Sequence, residues 1–371
     1  MSVGIFLVSE IGKGLGGAEK RFAGLFLELK RRGQDVRFVV HRSTLDALLA
    51  NVEFGEIENY ADSVVVLPAD NSFRAKHARI TEYAAKEFAP TDVLHFILYY
   101  PVLHRLPNPT IFSDVLSNMS MFTIRDHAMT HGAHLRSTII DMLDPRRAAQ
   151  TSKYMFWAGQ KIQVTSNTFV NADNYVARPA VEKRNWIVFV GRFVPVKQVK
   201  EFVESIPVIA ARCRRAGIND PKFFVLGHGT LESDLHSLAA GREFDGISLT
   251  IGYEPEPQET LSLAKVAVSL QKVTNYPSKS LAEMLSAGCV PVVTDVGTTR
   301  QMARPDFSYY VPESFTADEL ASRIVEVLTL DEEALASRSS AATAFARNEL
   351  SIGKMADYYS ALYARFEVPI S

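Results

Sequence analysis

The sequence predicts an α/β chain built as two Rossmann-like parallel-sheet domains. Three observations carry this: a β-α-β run opens the chain, the same order restarts at Trp186, and the short apolar runs in each half alternate with amphipathic helical segments. That alternation is the pattern of a parallel sheet covered by helices on both faces. A length of 371 residues suits two domains. Hydrophobic residues at 47% and charged residues at 22% exclude a disordered or fibrous chain. With 40 basic and 42 acidic side chains the net charge is −2, so nothing draws the whole molecule to nucleic acid or to an anionic membrane, and an anion has to be bound locally.

In the first half, residues 3–8 read as a strand and are followed by a glycine-rich turn. Phe22, Leu25, Phe26 and Leu29 then fall at i, i+3, i+4 and i+7, one face of a helix. Gly33 stands where a helix C-cap belongs and residues 36–40 read as the next strand. Residues 64–67, 93–98 and 110–112 are further strands, with a helix ending over 83–88. In the second half, residues 186–190 form a strand, 191–196 a turn, and Val199, Phe202, Val203 and Ile206 repeat the helical spacing. Residues 223–226, 247–251, 266–270 and 290–294 continue the sheet. The domains are placed at 1–173 and 180–350, the polar stretch 167–185 holding the boundary. Met355, Tyr358, Tyr359, Leu362, Tyr363 and Phe366 mark an amphipathic terminal helix within 352–371.

Cys213 and Cys289 make neither a disulfide framework nor a CxxC motif, which fits a reducing, cytoplasmic setting. Residues 3–8 lack a basic leader and a cleavage site, and no run of about 18 apolar residues occurs. Lys30, Arg31 and Arg32 form the compact basic cluster; they complement a helix dipole and face solvent, with peripheral contact at the inner face of a membrane left open.

Residues 12–17, GKGLGG, contain G-x-G-x-x-G between a strand and a helix, a dinucleotide signal through Gly12, Gly14 and Gly17. Three residues separate it from the strand, and His41 and Arg42 stand where that fold carries an acid. Arg42 suits a 2′-phosphate, so an NADP oxidoreductase is the alternative reading. The chain has no D-x-D metal motif, so a diphosphate needs side-chain cations and helix N-termini instead. Arg192 and Lys197 supply the cations at the C-terminal end of a buried strand, where open α/β sheets bind ligands. His127, His131 and His134 share a helix face at i, i+4 and i+7, a spacing open to metal but better explained by packing or acceptor contact.

Taken together, four segments resemble the retaining glycosyltransferases of family 4: GGAE at 16–19, GRFVPVK at 191–197, LGHG at 226–229, and 275–283 followed by GCVPVV at 288–293. The resemblance implies a GT-B fold, with two facing Rossmann-like domains and a C-terminal helix crossing back to the first. It implies a nucleoside-diphosphate sugar as donor and a glycan or lipid-linked hydroxyl as acceptor. No metal, other cofactor or nucleic-acid partner is expected. On that pattern Arg192 and Lys197 neutralise the diphosphate, and Glu283 holds the ribose hydroxyls, though Ser280-x-x-Glu283 also reads as a capping box. Gly16, Gly17, Gly229, Ser278, Lys279 and Ser280 line the donor, while Glu19 and His95 face the acceptor. Two positions depart from the family: Asn275 replaces an acid near the donor sugar, and Asp114 stands where a histidine is usual. Asp114 is either a group that orients the acceptor hydroxyl or stabilises an oxocarbenium-like transition state, or a helix N-cap. Residues 269–271 and 275–281 look like a variant found among bacterial surface-polysaccharide transferases. A non-catalytic nucleotide-sugar-binding protein is the third reading.

Overall fold

The computed structural model describes residues 1–8, 15–68, 72–103, 105–115, 124–165 and 170–367. Two compact units divide the chain, one formed by residues 1–167 with 352–371, the other by residues 168–351.

The first unit is built from β1 (Val3–Leu7), α1 (Gly17–Arg31), β2 (Val36–His41), α2 (Arg42–Leu49), β3 (Val64–Leu67), α3 (Phe73–Glu87), β4 (Val93–Ile97), β5 (Thr110–Asp114), α4 (Ile124–Arg136), β6 (Ile139–Met142), α5 (Pro145–Tyr154) and β7 (Ile162–Val164). The strands form one parallel sheet in the order β3-β2-β1-β4-β5-β6-β7. Every residue of β1 and β4 is buried, as strands covered on both faces require. Helix α1 buries Phe22, Leu25, Phe26 and Leu29, and Phe26 stacks on Phe38 of β2 with centroids 5.0 Å apart. It ends at Gly33, whose φ of 73° lets the Gly33 amide donate to Lys30 O and the Gln34 amide to Leu29 O, closing the last turn.

The second unit contains β8 (Arg184–Val190), α6 (Val199–Arg215), β9 (Lys222–Leu226), α7 (Glu232–Ala239), β10 (Ser248–Gly252), α8 (Gln258–Leu263), β11 (Ala264–Ser269), α9 (Lys279–Ser286), β12 (Val290–Thr294), β13 (Tyr309–Val311), α10 (Ala317–Leu328) and α11 (Glu332–Glu349). Its parallel sheet has the order β10-β9-β8-β11-β12-β13. One face packs on α6 and α10 through Phe202, Val203, Ile206, Leu320 and Ile324, the other on α9 and α11 through Leu281, Leu285, Ala342 and Phe345. The buried Lys183 ammonium donates to Ser262 O, Ala264 O and Ala287 O, collecting carbonyls left at the ends of α8 and α9. Three donated hydrogen bonds replace the water lost on burying it, and burial still lowers its pKa.

Val170 belongs to this unit: its amide donates to Leu350 O at 2.8 Å and it bridges Ser351. Past Ser351 the chain forms α12 (Ile352–Ala364), which packs on α1 in the first unit. Strands β6, β7 and β13, of four, three and three residues, are additions to the sequence reading.

Candidate functional site

In a parallel sheet the loops leaving every strand lie at one end. In the second unit that end gathers residues 191–197 after β8, residues 227–229 after β9 and residues 270–278 after β11. Two of these loops are zipped by backbone: the Phe193 amide donates to His228 O at 2.8 Å and the Leu231 amide to Phe193 O at 3.0 Å. The fit depends on glycine. A Cβ on Gly227 would lie 1.9 Å from Gly191 O, and one on Gly229 would lie 2.5 Å from Phe193 O. The Lys272 amide donates to Val196 O at 3.1 Å, tying in the loop after β11.

The β8 loop carries Arg192, exposed, and Lys197, half-buried. Neither side chain has a hydrogen-bond or ion-pair partner among the described residues. Burial, and then repulsion from the Arg192 guanidinium, push the Lys197 ammonium down to about 8. Two cations that repel each other, on one turn ahead of helix α6 and without a partner among the described residues, carry charge that an anion would neutralise. Gln198 follows in the left-handed conformation, φ 47° and ψ 31°. Its Nε2 donates to Glu313 O, while its buried Oε1 has no partner. Gln198 lines a pocket of about 290 Å³ with Glu201, Lys272, Glu313, Ser314 and Phe315. Sequence reading missed Gln198; an uncharged residue at a helix start carries no local signal of this kind.

Ser278 caps α9, its hydroxyl accepting from the Leu281 amide at 3.3 Å and lying 3.3 Å from Ser280 Oγ. The capping box expected from Ser280 and Glu283 is therefore not formed: the cap is two residues earlier, which puts Glu283 in the second turn. There its carboxylate lies 3.7 Å from Lys279 Nζ, each side chain 16% exposed. Glu283 is thus half-buried with a cation beside it, near the helix N-terminus.

Asn275 is fully buried. Its Oδ1 accepts from Ser269 Oγ at 2.8 Å, and its Nδ2 donates to Ser269 O at 3.0 Å and Thr294 Oγ1 at 3.3 Å. Both amide hydrogens are engaged, so Asn275 locks the end of β11 to that of β12 instead of presenting its amide to a ligand. Thr294 and Thr299 complete the lock, the first bonded to Gln271 and the second accepting from the Asn275 amide at 3.0 Å.

In the first unit, Asp114 ends β5 with its side chain fully buried. Both oxygens accept from Arg147 at 2.8 Å, and one lies 3.0 Å from His134 Nε2. It is neither an open carboxylate nor the cap of a described helix; it ties α4 and α5 to the sheet. The charge is satisfied by a bidentate guanidinium, the geometry a buried carboxylate needs.

His95 is also fully buried and does not line a ligand surface. Ser113 Oγ donates to Asp141 Oδ2, so His95 Nε2–H donates to Ser113 Oγ at 2.7 Å and its Nδ1 accepts from Tyr363 Oη at 2.8 Å. Asp141 further accepts from Tyr358 and Tyr359, both on α12. Burial, with a smaller push from Arg21, lowers His95 to about 3 and keeps it neutral. Burial pushes the Asp141 carboxyl up, against Arg21 and the three hydroxyls. This directed network holds α12; the corrected role of His95 is docking. Arg21, itself buried, donates from Nη2 to Thr165 and Tyr359 and leaves Nε and Nη1 buried without partners.

Gly16 is the N-cap of α1 and Gly17 its first residue, with Glu19 in the first turn. The Glu19 carboxylate folds back over Gly16, where it faces the helix dipole. Gly12 and Gly14 lie outside the described residues; Arg42 is exposed, 3.8 Å from Asp46. His127 and His131 are exposed whereas His134 is buried against Asp114, and among the described residues no three His, Cys, Asp or Glu side chains converge to hold a metal. The basic cluster of α1 is largely neutralised: Arg31 pairs with Glu56, and Arg32 with Glu28 and Asp357. No described helix is long and apolar enough to cross a membrane.

Residues 172–344 match the family model of "Glycosyl transferases group 1", slightly under half of the chain. No curated protein matches the sequence. Among solved structures, HepE from Anabaena in complex with UDP and glucose superimposes with a TM-score of 0.73 at 13% identity, covering 98% of this chain and 100% of that one. A glycosyltransferase from Rickettsia africae gives 0.71 at 12% identity, covering 99% of each chain. Sucrose-phosphate synthase from Thermosynechococcus elongatus gives 0.71 at 14% identity over 98% of each. The fold is GT-B.

Proposed function

We propose that this chain is a retaining, metal-independent glycosyltransferase resembling family 4, which moves a sugar from a nucleoside-diphosphate sugar to a hydroxyl of a glycan or lipid-linked acceptor in bacterial polysaccharide synthesis, working in the cytoplasm. The observation that carries the reading is the unpartnered, mutually repelling pair Arg192 and Lys197 at the ligand-binding end of the second sheet, inside the segment that matches a transferase family.

In this reading the C1–O bond to the diphosphate breaks as the acceptor oxygen approaches from the same face. The departing phosphate oxygen takes the acceptor proton, and Arg192 and Lys197 stabilise the charge that collects on it. The start of α9, with Ser278, Lys279 and Ser280, adds dipole and donors to the phosphates, while Glu283 accepts from two adjacent ribose hydroxyls. Gly229 keeps the β9 loop close enough to the β8 loop to set the cations in place. Asn275 and Asp114 are positioning residues, with side chains engaged by Ser269 and Thr294 and by Arg147 and His134. Glu19, Gly16 and Gly17 remain candidates for contact with the acceptor and donor.

A thermal-shift panel of UDP, GDP, ADP, dTDP and NADP, on wild type and Glu283→Ala, tests this reading. A nucleoside-diphosphate response that is lost in the variant supports it; a response to NADP alone overturns it. Donor binding with no nucleotide released for any of a set of glycan acceptors would leave a binding protein.

A further inference from the structure

Helix α5 runs back from the ligand-binding end of the first sheet and delivers Tyr154, Phe156 and Trp157 to the opposite end. There they are 78%, 81% and 60% exposed, Phe156 edge-on to Trp157 with centroids 5.2 Å apart. Leu135, 55% exposed, reaches the same end of the sheet at the close of α4: Lys161 Nζ donates to the carbonyl of Ser137, two residues on. Large apolar side chains grouped at a surface mark a contact with something.

Charge narrows what that contact is. Residues 127–165 contain two acids, Asp141 and Asp144, which are 1% and 2% exposed. The exposed or half-buried charges of this segment are therefore all basic: Arg136, Arg146, Arg147, Lys153 and Lys161. Arg146 and Arg147 pair with Asp144 and Asp114, which leaves Arg136, Lys153 and Lys161 of this segment with no acid paired to them among the described residues. A symmetric contact between two copies would set these cations against one another, because each copy presents the same patch. An anionic surface is complemented instead. Tyrosine and tryptophan bury their rings at headgroup depth, where lysine and arginine reach the lipid phosphates.

We propose that Leu135, Tyr154, Phe156 and Trp157, with Arg136, Lys153 and Lys161 of the same segment, form a docking surface for an anionic phospholipid membrane. The surface lies away from the ligand-binding end of its sheet, so docking there leaves that end open, and the proposal stands or falls apart from the reaction assigned above.

The full chain is tested by co-sedimentation with vesicles of phosphatidylcholine alone and of phosphatidylcholine mixed with phosphatidylglycerol. Binding to the mixed vesicles is expected, weakened by salt, and reduced about tenfold or more by Phe156→Ser with Trp157→Ser. Lys153→Glu with Lys161→Glu is a second route to the same loss and removes no aromatic group. In a Trp186→Phe background, Trp157 emission should shift to the blue on adding mixed vesicles. Equal binding to both vesicle types, or binding unchanged in both double variants, overturns the proposal. So does a concentration-dependent dimer that either double variant abolishes, which would make a second copy the occupant. Unchanged melting of the variants shows that a loss of binding is not a loss of fold.

Discussion

Lys197 is a side chain whose protonation should report its ligand. With its ammonium lowered to about 8 by burial and by Arg192, it is about half protonated at pH 8 in the free protein. A diphosphate placed between the two cations favours the charged form and returns the pKa toward its ordinary value. Binding at pH 8 should therefore take up about half a proton. Affinity should be greatest below pH 8 and fall as pH rises through it, since the bound state holds more protons there. Calorimetry with a nucleoside diphosphate in buffers of different ionisation enthalpy measures this uptake. Lys197→Ala should abolish it, with turnover falling by about two orders of magnitude or more. Uptake that persists in the variant would place the titrating group elsewhere.

Among the elements, the paired loops after β8 and β9 depend most on a single residue type. A Cβ added at Gly229 would meet backbone, not a flexible side-chain end, so Gly229→Ala has to separate the two loops. Its cost is expected at about 2 kcal/mol or more, with weakened binding of nucleoside diphosphate because Arg192 and Lys197 sit on the displaced loop. Gly191→Ala, in the same unit, brings its added atom no closer than 3.5 Å to the Phe189 ring, an ordinary contact, and should be near neutral. Urea unfolding followed through Trp186 in a Trp157→Phe background reports on this unit. Equal midpoints for the two variants would contradict the steric account. Helices α1 and α6 and the longer strands were legible in the sequence because their periodicity repeats over several residues. Strands β6, β7 and β13 were not, being short, and β6 carries Asp141, whose charge hides a buried strand from any local pattern.

At the scale of the molecule, the same limit separates what sequence could and could not say about the site. That Arg192 and Lys197 stand on a turn after a buried strand was legible from the apolar run before them. The settings of Asp114, Asn275 and His95 were not, because each is decided by distant partners: Arg147 and His134, Thr294, and Tyr363 respectively. Removing residues 352–371 tests the largest of these long-range dependencies. Asp141 would lose the hydroxyls of Tyr358 and Tyr359, and His95 that of Tyr363, leaving buried polar groups unsatisfied at about 1–3 kcal/mol each. Hydrogen exchange should then rise across β4, β5 and β6 and stay unchanged in β8 and β11. Equal loss of protection in both units would show that α12 supports more than its own unit.

The return of α12 also fixes an order of assembly. Residues 168–351 stand in the chain as an insertion within the other unit. As the polypeptide leaves the ribosome, the inserted unit has all its strands and helices in hand while the first still lacks its final helix. Until that last segment is released, Phe22, His95 and Asp141 lie uncovered. Of the two units, the one whose strands begin earlier in the chain is therefore the one completed later.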